Sequence, residues 1–191
     1  YVNDFGYGQK TGIDLPGEAT GKIFTEDTMR SADLATSSFG QSQTVTMVQM
    51  AAAFSSVVNG GYYYTPHVVK EIQNENGATV SEIETQPVRK VVTAETSKLL
   101  RGYLYKTVEE GTAKAAQVKG YKVGGKTGTA EKYPRKKKNY LVSFIGFTPI
   151  EHPEVVIYVV IDQPHVEDQA HSTYATEFAS SVMGDVLPML G

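Results

Sequence analysis

There is no cysteine in these 191 residues. Neither a disulfide nor a thiolate-held metal is therefore possible, which is compatible with an extracytoplasmic protein. No run approaches the ~18 consecutive apolar residues of a membrane span, and no stretch has the layout of a signal peptide. There is no initiator methionine either. The sequence opens on Tyr1-Val2-Asn3-Asp4-Phe5, and the expectation is a piece of a longer protein. Neither sign of charge dominates: 18 basic against 21 acidic residues give a formal net charge of −3. That balance argues against a nucleic-acid partner. What is present is 40% hydrophobic residues, in a chain of ordinary length for one domain.

The densest chemistry lies in residues 121–131, Tyr-Lys-Val-Gly-Gly-Lys-Thr-Gly-Thr-Ala-Glu. A lysine, two threonine hydroxyls and three glycines fall within six residues. Glycines let backbone approach a ligand, and the lysine, hydroxyls and N–H groups suit an anion or a developing oxyanion. Two readings compete. Residues 120–127 match the phosphate-loop pattern G-x-x-x-x-G-K-T, which requires a helix opening at Lys126. Lys126-Thr127-Gly128 also matches a K-T-G element, which lies on a strand at a sheet edge.

The flanking residues favour the strand. Tyr133-Pro134-Arg135-Lys136-Lys137-Lys138-Asn139 has no helical apolar period, and Pro134 opposes a helix. The apolar run 140–147 follows, so the pattern is strand, polar hairpin tip, strand. Residues 155–161 followed by Asp162 imitate the strand and acid of a nucleotide-binding core. A phosphate loop at residue 120 would nevertheless leave too little chain for repeated strand–helix units.

Elsewhere, residues 5–18 form a glycine-rich loop with a second Lys-Thr-Gly at 10–12, read as turns because Pro16 and Gly17 follow at once. Residues 25–28 are expected to open a short helix with acids in its first turn. Thr46 and Gln49 make a capping box for a helix ended by Gly60 and Gly61. That helix is apolar nearly all round and is expected to be buried. Residues 68–73 and 79–84 read as a hairpin about Asn74-Glu75-Asn76-Gly77. A helix over about 94–109 is expected to turn Leu99, Leu100, Tyr103, Leu104 and Val108 inward. Residues 140–147 and 155–161 are antiparallel neighbours through a short connection. The second strand lacks alternation and is expected to be buried on both faces. A last helix over 174–190 is expected to face inward through Phe178, Val182, Val186 and Leu187. The fold class is therefore α+β, an antiparallel sheet covered by helices. His165, Glu167, Asp168 and His171 are read as a solvated loop rather than a metal site. Arg135-Lys136-Lys137-Lys138 is read as a solvated tip.

Together the motifs resemble one family. Residues 124–132 resemble the K-T-G strand of class B penicillin-binding proteins. Residues 5–18, Ser38-Phe39-Gly40-Gln41 with Val45-Thr46-Met47-Val48-Gln49, and Asn59-Gly60-Gly61 match the same family in the same order. The likeness covers essentially the whole chain and is closest to division or sporulation members from Gram-positive bacteria. It implies a partial penicillin-binding-protein/serine β-lactamase-like transpeptidase domain. It also implies a D,D-transpeptidase parent that cross-links peptidoglycan stem peptides by serine acyl transfer and is acylated by β-lactams. No cofactor is implied. Lys126 would place positive charge beside the site. Thr127 and Thr129 would hold a terminal carboxylate, with Gly128 between them, and the Thr129 N–H would be half of an oxyanion hole. The parent would work on the extracytoplasmic face of the membrane, held by an anchor outside these residues.

The chain departs from the family at one point. The family's S-x-x-K and S-x-N motifs are absent: no serine here has Lys at +3 or Asn at +2. Residues 1–191 are thus expected to be the C-terminal part of a single transpeptidase domain, inactive without the nucleophile-bearing part. Two other readings stay open on the residues alone. One is a nucleotide-binding enzyme using residues 120–127, and the other is a non-catalytic module binding peptidoglycan or a partner.

Overall fold

The computed structural model describes residues 1–190, apart from the side chain of Lys136. The chain forms two compact units, Tyr1–Ala94 and Glu95–Gly191.

The first unit is built around carboxylates and a carboxamide that bind backbone. The loop at residues 5–18 is closed by Glu18. Its carboxylate accepts from the Thr11 hydroxyl at 2.5 Å, the Thr11 N–H at 2.6 Å and the Gly12 N–H at 3.1 Å. Those bonds hold its carboxyl below the usual carboxylate range, the Thr11 hydroxyl contributing most. Asp14 accepts from the N–H groups of Val68 and Val69 at 2.8 and 2.9 Å, and these lower its pKa too. The second Lys-Thr-Gly is therefore part of a stapled turn, as its proline and glycine imply.

Helix α1 spans Ser31–Ser37. It starts later than expected, because the 26–28 stretch is a turn. The helix start falls where Asp33 reaches back to the Arg30 N–H and guanidinium, a stronger local signal than the acids of the first expected turn. Helix α2 spans Met47–Val58 and carries the expected capping box. The Thr46 hydroxyl accepts from Gln49 N–H at 3.1 Å, and the Gln49 carbonyl accepts from Thr46 N–H at 2.9 Å. The Gln49 amide also donates to the carbonyls of Gln9 and Thr20. A fully buried polar side chain is thus satisfied at both ends. α2 is not apolar-buried all round: its buried set is Gln49, Ala53, Ser56 and Val58, while Met47 is exposed.

Strand β1 is Tyr62–Tyr64, β2 is Glu71–Gln73, β3 is Thr79–Glu82 and β4 is Pro87–Lys90. β2 and β3 form the expected hairpin, shorter than its apolar pattern. β4 has no counterpart in the sequence reading and pairs antiparallel with β1.

The second unit is a helix-covered sheet. Helix α3 spans Ala94–Glu109, β5 spans Gly124–Glu131, β6 spans Tyr140–Thr148, β7 spans Val155–Asp162 and α4 spans Thr173–Leu190. The sheet order is β5-β6-β7, antiparallel throughout. Val108, Ala113, Ala116, Val123, Phe144 and Val159 pack with Ala175, Ala179, Met183 and Leu187 in one core. Two helix faces differ from expectation in part, although Val108 and Leu187 are buried as expected. On α3, Leu99 and Tyr103 are exposed while Ser97 and Val108 are buried. On α4, Phe178 and Val186 point outward, and Ala175, Ala179, Met183 and Leu187 at four-residue spacing face the core. The small side chains of Ala175 and Ala179 let the first half of the helix lie close to the sheet, which a Phe would prevent. β7 is partly buried along most of its length, with Val159 its one buried residue, because it lies at the edge of the described sheet rather than at its centre.

Candidate functional site

Strand β5 positions the candidate residues. Lys126 pairs with Ile145, Thr127 with Phe144, Gly128 with Ser143 and Thr129 with Val142. Lys126 is the third residue of a strand that has a partner on one side only among the described residues. A phosphate loop would put it at a helix start, so the nucleotide-binding reading of residues 120–127 is overturned. The glycines that imitate that loop have packing roles. A Cβ at Gly124 would lie 2.5 Å from the Phe147 ring, and one at Gly125 would run into the Phe144 ring. Both rings are fully buried. Gly120 has φ +88° in the turn closed by Tyr121 N–H and Val118 C=O, a conformation that favours glycine.

Strand alternation sets Lys126 and Gly128 toward one face of the sheet and Thr127 and Thr129 toward the other. Lys126 is exposed, and its Nζ donates to the Thr127 carbonyl at 2.9 Å. Among the described residues no carboxylate forms an ion pair with it. The ammonium thus lies against the strand with its charge uncompensated by a neighbouring acid. At Gly128 a Cβ would come 2.6 Å from Ser143 Oγ, so this position keeps the neighbouring strand close. Thr129 is exposed and Thr127 partly buried.

Thr112 is a residue that sequence reading passed over. Its hydroxyl lies 3.3 Å from the Thr127 hydroxyl. It follows Gly111, which ends α3, and the short 3-10 turn Lys114–Ala116 comes next. The only signal in the sequence was a small polar residue at a helix end, 15 positions from the strand it touches.

The other candidates are held in contacts of their own. Asp168 Oδ2 pairs with His171 Nε2 at 2.8 Å, and Asp168 Oδ1 accepts from Ala170 N–H. The hydroxyls of Ser37 and Ser38 donate to carbonyls of their own helix turn at 2.6 and 2.7 Å. Ser42 receives a hydrogen bond from the Thr36 hydroxyl. No lysine amine is among these contacts. The strand can present a cation, two hydroxyls and backbone N–H groups to an anionic, extended ligand, but it supplies no activated nucleophile.

The comparisons with known proteins place the chain in a family. The model of the penicillin binding protein transpeptidase domain matches residues 1–184. The chain is 45% identical over 195 residues to Stage V sporulation protein D of Bacillus subtilis, covering all of this chain and 30% of that protein. It is 32% identical over 175 residues to penicillin-binding protein PbpB of Mycolicibacterium smegmatis, covering 85% of this chain and 27% of that one. Among solved structures, penicillin binding protein 3 of Mycobacterium tuberculosis complexed with ampicillin superposes with a TM-score of 0.87 at 27% identity, over 99% of this chain and 44% of that chain. The chain therefore spans less than a third of the length of these curated relatives. An edge strand carrying Lys-Thr-Gly, a match over nearly the whole chain and a fold shared with solved members lead to one conclusion: this chain belongs to the penicillin-binding protein transpeptidase domain family.

Proposed function

We propose that residues 1–191 are the C-terminal part of a single transpeptidase domain whose parent is a serine-type D-Ala-D-Ala transpeptidase. The parent cross-links peptidoglycan stem peptides and is acylated by β-lactams. Its serine attacks the carbonyl of the penultimate D-alanine and expels the terminal D-alanine, and an amine of a neighbouring stem then resolves the acyl-enzyme. Covalent catalysis divides one difficult acyl transfer into two easier ones. The nucleophile and its lysine lie in the part of the domain preceding these residues.

Within this chain Lys126 supplies positive charge to the site. Thr127 and Thr129 bind the terminal carboxylate through their hydroxyls, Gly128 lets the substrate backbone lie against the strand, and the Thr129 N–H forms half of the oxyanion hole. One such donor is worth about 10²–10³ in rate. The observation that carries this reading is the position of Lys126-Thr127-Gly128 on a sheet-edge strand. The name of the Bacillus subtilis relative, Stage V sporulation protein D, supports a sporulation role for the parent; its place of work would be the extracytoplasmic face of the membrane, where peptidoglycan lies. A fluorescent penicillin incubated with the parent protein tests the reading. Stoichiometric covalent labelling is expected, blocked by unlabelled penicillin. Absence of labelling would leave the non-catalytic binding module as the better description.

A further inference from the structure

The β5–β6 tip carries a charge concentration that the function above does not use. Residues 132–138 contain Lys132, Arg135, Lys136, Lys137 and Lys138 and no acid. The chain's net −3 is thus the difference between a +5 tip and a −8 remainder. Lys132 is neutralised by Asp162, with 2.7 Å to each carboxylate oxygen. Lys138 lies near enough to Asp168 to lower that acid's pKa, though less than the Ala170 N–H and His171 do. Arg135 and Lys137 are exposed, and no described acid forms an ion pair with either. The tip is also shaped. Arg135–Lys137 form a 3-10 turn, Lys138 closes it with φ +50°, and the Arg135 guanidinium lies 5.3 Å from the centre of the Tyr133 ring. The Lys132 N–H donates to the Asn139 carbonyl at 2.8 Å, continuing the ladder to the tip's base.

The direction of a bound donor peptide follows from the roles proposed for β5, on which this inference rests. The scissile carbonyl lies at the Thr129 N–H. The terminal carboxylate, one residue further along the donor, lies at Thr127 and Lys126. The donor therefore runs antiparallel to β5, adding as a strand to its edge. Its amino-terminal side extends past Glu131 toward the tip. At about 3.4 Å per residue, groups two to five residues before the scissile bond fall within reach of the Arg135 and Lys137 side chains.

We infer that Arg135 and Lys137, with Lys138, form a carboxylate-selecting subsite for the amino-terminal part of the acyl-donor peptide. The ligand class is a peptide bearing a free acid upstream of the scissile bond. Because these charges are exposed, the preference is modest and sensitive to salt.

The test uses the full-length parent and two donor peptides ending in D-Ala-D-Ala. They differ only in whether one upstream group is a free carboxylate or its amide. At low ionic strength the wild type should turn over the acid donor about three- to tenfold faster in kcat/KM. This advantage should shrink in 0.5 M salt. In Arg135→Gln/Lys137→Gln it should vanish, with the amide donor and the penicillin acylation rate unchanged. An unchanged preference in the variant would overturn the inference, as would an equal fall for both donors. Loss of binding to anionic lipid vesicles with donor preference intact would also overturn it, and would assign the tip to a membrane surface. Penicillin acylation of the wild type reports separately on the transpeptidase reading, so the two cannot fail unnoticed together.

Discussion

The hydroxyls of Thr112 and Thr127 lie 3.3 Å apart, joining the end of α3 to the middle residue of the Lys-Thr-Gly element. A rotating hydroxyl at a sheet edge has three staggered positions. A partner at hydrogen-bond distance selects one, and when Thr112 is the donor the Thr127 proton is left to donate to an anionic ligand.

With the carboxylate-binding role proposed for Thr127, Thr112 would act as a positioning residue. In the parent, Thr112→Val should slow acylation by a β-lactam about three- to tenfold, the worth of one neutral hydrogen bond. Thr112→Ser should restore the rate, because it restores the hydroxyl. Equal rates for the valine variant and the wild type would show that Thr127 needs no such partner.

The glycines before Lys126 support the sheet rather than a ligand. Gly125→Ala forces a methyl into the buried Phe144 ring, and overpacking of that kind costs about 1–3 kcal/mol. Chemical denaturation should register this as a lower midpoint with an unchanged slope. A midpoint within error of the wild type would mean that Phe144 repacks freely.

The loop staple of the first unit is pH-dependent. Asp14 and Glu18 have folded-state pKa values below their unfolded values, through backbone N–H groups of Val68 and Val69 for the first and the Thr11 hydroxyl for the second. A depressed carboxylate contributes stability that is complete above the unfolded pKa, about 4. That contribution is lost as pH falls through the lower folded values. Amide exchange at Thr11, Gly12, Val68 and Val69 should therefore lose protection below about pH 4. In Glu18→Gln the protection of Thr11 and Gly12 should be weak at neutral pH already. Protection that is flat down to pH 2 would contradict the linkage.

By itself the 191-residue chain should form no covalent penicillin adduct, since opening a β-lactam needs an activated nucleophile. Among the described residues, β7 pairs with β6 alone. An apolar edge of this kind recruits other strands, so the isolated chain should also self-associate. Intact-mass spectrometry and light scattering check the two outcomes. A stoichiometric mass gain would place a nucleophile within these residues.

Much of this was legible in the sequence, for reasons that differ by element. The strand position of Lys126-Thr127-Gly128 was readable because the polar tip and the apolar run after it exclude a helix locally. The capping box of α2 was readable because both partners sit within four residues. β4 was not, because Pro87-Val88-Arg89-Lys90 is short and polar and earns its strand only by pairing with Tyr62 and Tyr63, far away in sequence. The inner face of α4 was misjudged because two apolar rows share the helix. Hydrophobicity favours Phe178, whereas close approach to the sheet favours Ala175 and Ala179. Thr112 was invisible for the same reason as β4: its partner is defined only by the fold.

The most direct measurement is the second-order rate of acylation of the parent by a β-lactam, compared between wild type, Lys126→Ala and Lys137→Ala. Removing the ammonium from a preformed anion site should slow acylation by about two orders of magnitude or more. Removing a screened tip charge should leave it nearly unchanged, since a β-lactam carries no upstream peptide. Equal rates for Lys126→Ala and wild type would show that β5 does not wall the site.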